Sequence, residues 1–322
     1  MTTVLPSVTT FQKFAVDDYS TTAALSKGYT AETTAATIAD FDANSWQYEY
    51  LSESMSQNQS HFWSEGIRGT RSRTKQRVRI NQESVGGTIV LNPTPAELTK
   101  WIPRIFGGDP SVNVYSLTDE LPVFSLLFDK ITRRHVFSQC KVARATFSSA
   151  AGQPLQLAID IIGKTESQTA TVFPVTIPVI DTGNIYIFPD ATTFSLSADA
   201  SASEVFDFSI TVDNMVMADR FTNSVTRTAF PAVDRIVTYA CSVPYTDDTV
   251  DLFDQTIAGA AGALTLSGPV SGSTIFTFTN LKSPAITPQS QRRGQELVLR
   301  LQMQCYSSGT TNDEMTITHT AT

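Results

Sequence analysis

The sequence predicts a mainly β fold: two tandem domains, each a β-sandwich or partly closed barrel with one flanking α-helix. Three observations carry that expectation. Apolar and polar residues alternate with a period of two at Trp46, Tyr48, Tyr50 and at Phe206, Phe208, Ile210, Val212, as half-buried strands require. A strong helix start, Thr94-Pro95-Ala96-Glu97, sits between them. The pattern then recurs later in the chain, so two domains are expected rather than one.

The stretch from Arg77 to Gly108 shows the local logic. An alternating strand turns at Gly86-Gly87, a short apolar run from Thr88 to Leu91 follows, and a helix begins. Thr94 is its N-cap, Pro95 takes the first helical position where no N–H is needed, and Glu97 closes a capping box. Leu98, Trp101, Ile102 and Ile105 form one apolar stripe, so the helix packs on a sheet. Pro103 keeps it short or kinked, and Gly107-Gly108 end it.

Taken in order, residues 1–45 are rich in Thr, Ala and Ser and read as an N-terminal arm that adds a strand without forming a core. Residues 46–165 make the first domain, 166–205 a β-rich connecting segment contributing to the second domain, and 206–322 the second domain. Three overlays carry the repeat. Trp46 to Met55 falls on Phe206 to Met215 with an offset of 160, Thr94 to Leu98 on Thr246 to Val250 with 152, and Gly152-Gln153-Pro154-Leu155 on Gly294-Gln295-Glu296-Leu297 with 142. After the last, Leu157, Ile159 and Ile161 stay in phase with Leu299, Leu301 and Met303; a slip of one residue would turn the strand inside out.

Composition narrows the function. The chain has 322 residues, 41% apolar and 17% charged, and no run approaches the roughly 18 apolar residues of a membrane span. MTTVLPSVTT lacks a signal peptide's basic start and apolar centre. The net charge of −8 is uneven: residues 1–160 carry 15 basic and 15 acidic side chains, residues 161–322 carry 8 and 16. So acidic a chain is ill suited to general phosphate binding. Cys140, Cys241 and Cys305 lack metal spacing and sit within or beside apolar runs, as small buried hydrophobes of a reducing compartment do.

Catalysis finds no support either. His61, His135 and His319 have no metal-ligand spacing and read as surface or loop histidines, and neither a GxSxG elbow nor a phosphate loop occurs. Of the carboxylate pairs, Asp119-Glu120 and Asp247-Asp248, the second sits where a helix dipole favours acids. No enzyme activity, cofactor or metal is expected. A reading from another class makes Trp63, Trp101 and the cluster Trp46, Tyr48, Tyr50 a sugar platform, in a carbohydrate-binding β-sandwich module or another virion surface or adhesion protein.

The leading KGYTAETTAAT, the strand pair with its Gly-Gly, the Pro-capped helix ending in Gly-Gly, and FSQCKVARATFSSAAGQPLQLAIDIIG carry a resemblance. From about residue 26 to 305 the chain resembles the tail tube (major tail) proteins of long-tailed bacteriophages, in particular the longer members with two tube domains. The resemblance implies a structural virion protein, made in the host bacterial cytoplasm, that polymerises as stacked trimeric, pseudo-hexameric rings. The resulting tube conducts DNA into the host. Its partners are then itself, the tape-measure protein and the tail tip and terminator proteins, while DNA passes through without specific binding.

One further feature bears on assembly. Arg71, Arg73, Lys75, Arg77 and Arg79 occupy alternate positions, so an extended strand projects all of them from one face, with Arg68 close by. The contact expected for them is a ring or subunit interface with Asp247, Asp248, Asp251 and Asp254 of a neighbour. The alternatives are a solvated charged hairpin or a DNA-binding ribbon. Ser54 to Gly69 reads as a polar loop, and by resemblance residues 56–80 are assigned to ring stacking. The inner wall of the tube is expected to carry small polar and acidic side chains.

Overall fold

The computed structural model describes residues 13–17, 36–41, 45–63, 75–107, 111–179, 183–188, 191–196, 204–245, 257–267, 273–283, 297–309 and 312–320. In the first half these form β1 (Lys13–Asp17), β2 (Trp46–Tyr48), β3 (Ser52–Glu53), β4 (Ser56–Trp63), β5 (Val78–Leu91), α1 (Pro95–Phe106), β6 (Val114–Ser116), β7 (Phe124–Asp129), β8 (Arg134–Ala150), β9 (Gln156–Gly163) and β10 (Thr165–Thr169). In the second half they form β11 (Ala191–Leu196), β12 (Asp207–Asp213), β13 (Ile236–Pro244), β14 (Ala260–Ser267), β15 (Ser273–Lys282), β16 (Val298–Cys305) and β17 (Met315–Thr320). The fold is mainly β: the strands join into one large antiparallel sheet that is not closed into a barrel.

α1 forms as its sequence dictates. Thr94 Oγ1 accepts from the Glu97 N–H at 3.2 Å while the Glu97 carboxylate accepts from the Thr94 N–H at 2.9 Å. Gly107, at φ 91°, closes the helix by donating to the Pro103 carbonyl, a conformation that only glycine adopts without strain. Leu98, Trp101, Ile102 and Ile105 are all fully buried. The expected turn at Gly86-Gly87, in contrast, is absent, because β5 runs straight through both glycines. A Cβ on Gly87 would lie 2.6 Å from the Ser54 carbonyl oxygen and 2.7 Å from the Met55 main chain. That glycine permits close backbone approach rather than a turn.

The ladders of the two halves match residue for residue. β5 pairs with β9 from Val85↔Gly163 to Leu91↔Leu157; β13 pairs with β16 from Val237↔Cys305 to Val243↔Leu299. The offsets of 152 and 142 therefore carry one ladder onto the other. Even a β-bulge repeats: β7–β8 passes from Phe124↔Cys140 to Leu126↔Phe137, and β14–β15 from Ala260↔Leu281 to Gly262↔Phe278. A leading strand lies on each, Phe14↔Phe128 in one half and Phe194↔Leu264 in the other.

The first overlay needs correction. β4 pairs Ser56↔Gly86 where β12 pairs Thr211↔Thr238, so the two strands correspond with an offset of 155 rather than 160. A period-two pattern cannot by itself say which of two adjoining apolar stretches is the counterpart. Trp46–Tyr48 belongs to β2, which pairs with β1.

The halves share a seam. β12 bonds to β13 on one side and to β8 on the other, over seven pairs from Asp207↔Ala150 to Asp213↔Arg144. One continuous core runs beneath both halves, with Phe147 and Phe276 meeting ring to ring at 5.4 Å. The connecting segment divides its allegiance. β10 pairs with β8, Phe173 and Ile177 bury against Leu127 and Val136, and Tyr186 reaches Thr274 of the second half at 3.0 Å.

Candidate assembly surfaces

β4 and β5 form a hairpin arm. Its pairing runs from Ser56↔Gly86 to Trp63↔Val78, so the run read as a polar loop is a strand for its first half. Val85 is fully buried, but every position of the arm from Val78 to Gln82 is exposed. Gln57 and Gln59 both donate to the Glu83 carboxylate, at 3.2 and 2.8 Å, and fasten the root. Near the tip Phe62 is 66% exposed, Trp63 44%, Val78 39% and Ile80 40%. A two-stranded ribbon that buries no apolar face is marginal in water, and clustered exposed aromatics mark a contact surface.

The basic residues at this tip are arranged differently from the sequence expectation. Lys75–Arg77 winds as a 3-10 turn before β5 begins, so one extended face does not hold Lys75, Arg77 and Arg79 together. Arg79 stands opposite Phe62 in the ladder. Arg68, Arg71 and Arg73 lie outside the described residues, as do Asp247, Asp248, Asp251, Asp254 and the second helix start at Thr246.

The face of the sheet turned away from the core is dressed mainly with small polar groups. Across the seam Thr146 and Thr211 meet at 3.1 Å, and Arg144 contacts Asp213 through Nε and Nη2 at 3.0 and 2.6 Å. The hydrogen bond and charge of Asp213 hold the Arg144 pKa above its ordinary value. Thr88 donates to Asp160 at 2.5 Å and Ser242 to Asp207 at 3.0 Å. Asp160, Asp207 and Asp213 share this face with Arg144 and Arg300, and the ladder sets the exposed Lys282 opposite Gln304 on it as well.

The β12–β13 connection is the counterpart of the arm, yet it folds back onto the first half. Asn214 donates to the carbonyls of Ile105 and Val142, at 3.0 and 3.2 Å. Arg227, 7% exposed, donates to Val85 O at 2.6 Å, Gly163 O at 2.7 Å and Ala218 O at 2.7 Å. Burial lowers its pKa, partly opposed by Asp219. Arg235 donates to Thr118 O at 2.9 Å and pairs with Glu314 at 3.3 Å. Single arginines in a loop carry no sequence signal, so none of these clamps was foreseen.

The remaining candidates resolve simply. All three cysteines are buried, and burial pushes the Cys241 thiol up to about 12. His135 lies 2.6 Å from Glu166 and His61 is exposed on the arm. His319 is not on the surface: it is 2% exposed on β17. Its Nε2 donates to Pro95 O at 2.8 Å, so its Nδ1 accepts from Thr274 at 2.8 Å, and burial lowers its pKa. The imagined sugar platform is dispersed. Trp101 is fully buried against Tyr48, Lys100 covers Trp46, and Trp63 stands apart on the arm.

Comparison with known proteins bears on the reading of these surfaces. The profile of a family described as phage tail tube protein matches residues 19–299. A search of curated proteins gives no match.

Proposed function

The chain belongs to the phage tail tube protein family, and from that premise we propose that it assembles as rings of three chains stacked into the tube of the virion tail. Each chain supplies two tube domains, 46–165 and 206–322, so three chains fill six quasi-equivalent positions. The observation that carries this reading is the seam. Within one chain β12 joins β13 to the β8 edge of the first half, whereas its counterpart β4 pairs, among the described residues, with β5 alone. The open edge of β4 offers the next chain what β12 takes within the chain, and head-to-tail repetition of such a contact closes a ring.

In this ring the hydroxyl-rich face lines the lumen. Its three aspartates offset the bases beside them and weaken any hold on DNA, since phosphate binding needs uncompensated cations. The β4–β5 arm stacks rings along the axis, with its basic residues at the contact. Its further partners are the tape-measure protein and the tail tip and terminator proteins, and the chain is made in the host cytoplasm before joining the virion. No catalytic step enters this role.

Light scattering and negative-stain microscopy of the purified chain test the proposal. Trimers or long hollow polymers are expected; a species that stays at the 35.1 kDa of one chain at every concentration defeats it.

A further inference from the structure

At the end of the sheet opposite the arm, the seam opens into a groove of about 540 Å³ lined by Leu51, Asn92, Gln153, Pro154, Asp207 and Phe208. Leu51 is 58% exposed on its wall, and Asn92 Oδ1 is buried without a hydrogen-bond partner. A buried acceptor left unsatisfied costs free energy until a donor reaches it. We propose that this groove receives the arm tip of a chain in the adjacent ring, with Phe62 entering beside Leu51 and Phe208 and an arm cation approaching Asn92 and Asp207. The inference rests on the stacking role of the arm and goes beyond it by naming where the arm lands.

Three features of the chain favour this occupant over others. The first is position. The arm is the N-terminal part of β5 and Asn92 directly follows its C-terminal end, so arm and groove lie at opposite ends of a strand about 45 Å long. Stacked head to tail, the arm of one ring faces the groove of the next. The second is charge. The described end of the arm carries Lys75, Arg77 and Arg79, whereas the described residues lining the groove supply the Asp207 carboxylate, amide and hydroxyl acceptors, and no cation.

Number is the third. Among the described residues each chain has one exposed arm and one seam between its halves. At the quasi-equivalent junction between chains, the ladder places Pro244 in the position of Asn92, and proline offers no side-chain acceptor. A ring of three chains therefore presents three arms and three Asn92 grooves.

The experiment uses the full chain assembled into tubes, with a benzophenone amino acid at Phe62. Irradiation followed by peptide mapping should attach position 62 to residue 51 or 92, or to residues 148–156 or 207–208, of another chain. Attachment elsewhere on another chain overturns the groove assignment. Asn92→Leu should raise the concentration of rings needed for polymerisation about tenfold for each arm, about a thousandfold for the three arms of a ring, while rings stay intact, the effect of one charge-assisted hydrogen bond per arm. If Phe62→Ser abolishes polymerisation but Asn92→Leu leaves it unchanged, the arm stacks on another surface and the groove falls alone. If Phe62→Ser also leaves polymerisation unchanged, the stacking role fails and the groove with it.

Discussion

Removing the Arg227 guanidinium should loosen the attachment of the second half to the first. One buried side chain donates to Val85 O, Gly163 O and Ala218 O, spanning up to 142 residues of sequence. In Arg227→Ala the Val85 and Gly163 carbonyls lose this donor, and an unsatisfied buried acceptor costs about 1–3 kcal/mol. Relief of the desolvated cation offsets part of that, since a buried charge itself carries a penalty. A net loss of about 2–4 kcal/mol follows, with about 1–2 kcal/mol for Arg227→Lys, which keeps the charge but not the fork of donors. Urea titration of both variants measures it as a lowered midpoint at constant slope, and protease cleavage within residues 214–235 should rise in parallel. An alanine variant within about 0.5 kcal/mol of the parent would show that the clamp contributes only geometry.

Other perturbations test other parts of the fold. Burial raises the Glu97 carboxyl to about 7, with its hydrogen bonds to Thr94 opposing. The folded state thus holds a proton that the unfolded chain releases near its ordinary value. This contribution to stability is fully present below about pH 4.5 and is lost as pH rises to about 7, in total about 3 kcal/mol. Thermal melts of the parent and Glu97→Gln should therefore diverge between those pH values and run parallel above them; parallel curves throughout would refute the shift. Gly87→Ala forces a methyl to within 2.6 Å of the Ser54 carbonyl oxygen and should cost about 1–3 kcal/mol in urea titration. Trp101→Ala, emptying the fully buried site beneath Tyr48, should cost about 3–5 kcal/mol by the same measurement. Arg77→Glu combined with Arg79→Glu should impair polymerisation in low salt and leave ring formation intact; unchanged polymer yield removes these cations from the contact.

What the sequence made legible is what local chemistry decides. The capping box of α1 could be read because Thr94, Pro95 and Glu97 act within one turn. The correspondence of β9 with β16 could be read because alternation fixes the face of each residue over several positions, and the ladder keeps the inferred offset. The first overlay slipped by five residues for the same physical reason, since any alternating stretch satisfies the rule. Gly86-Gly87 misled because glycine serves turns and close approaches alike. Asn214, Arg227 and His319 were invisible, their long-range partners being carbonyls that every residue possesses, reached across 64 to 224 residues.

Among the described residues the two halves part at the arm, and the difference follows from where each hairpin goes after equivalent pairing. β12–β13 ends at Asp213↔Ile236, the counterpart of Asn58↔Ser84, where β4–β5 continues outward. Beyond that point the second-half chain turns back, and the Glu83 N–H at the arm root donates to Val225 O at 2.8 Å. Glu83 is also the residue whose carboxylate gathers Gln57 and Gln59. The segment that would have been a second arm thus braces the first, on the main-chain side of the residue that locks its two strands together. A free ribbon gains entropy by swinging, and a braced one gives up less when it docks. The course of the second hairpin therefore does two things at once: it leaves one described arm per chain, three in the proposed ring, and it stiffens that arm.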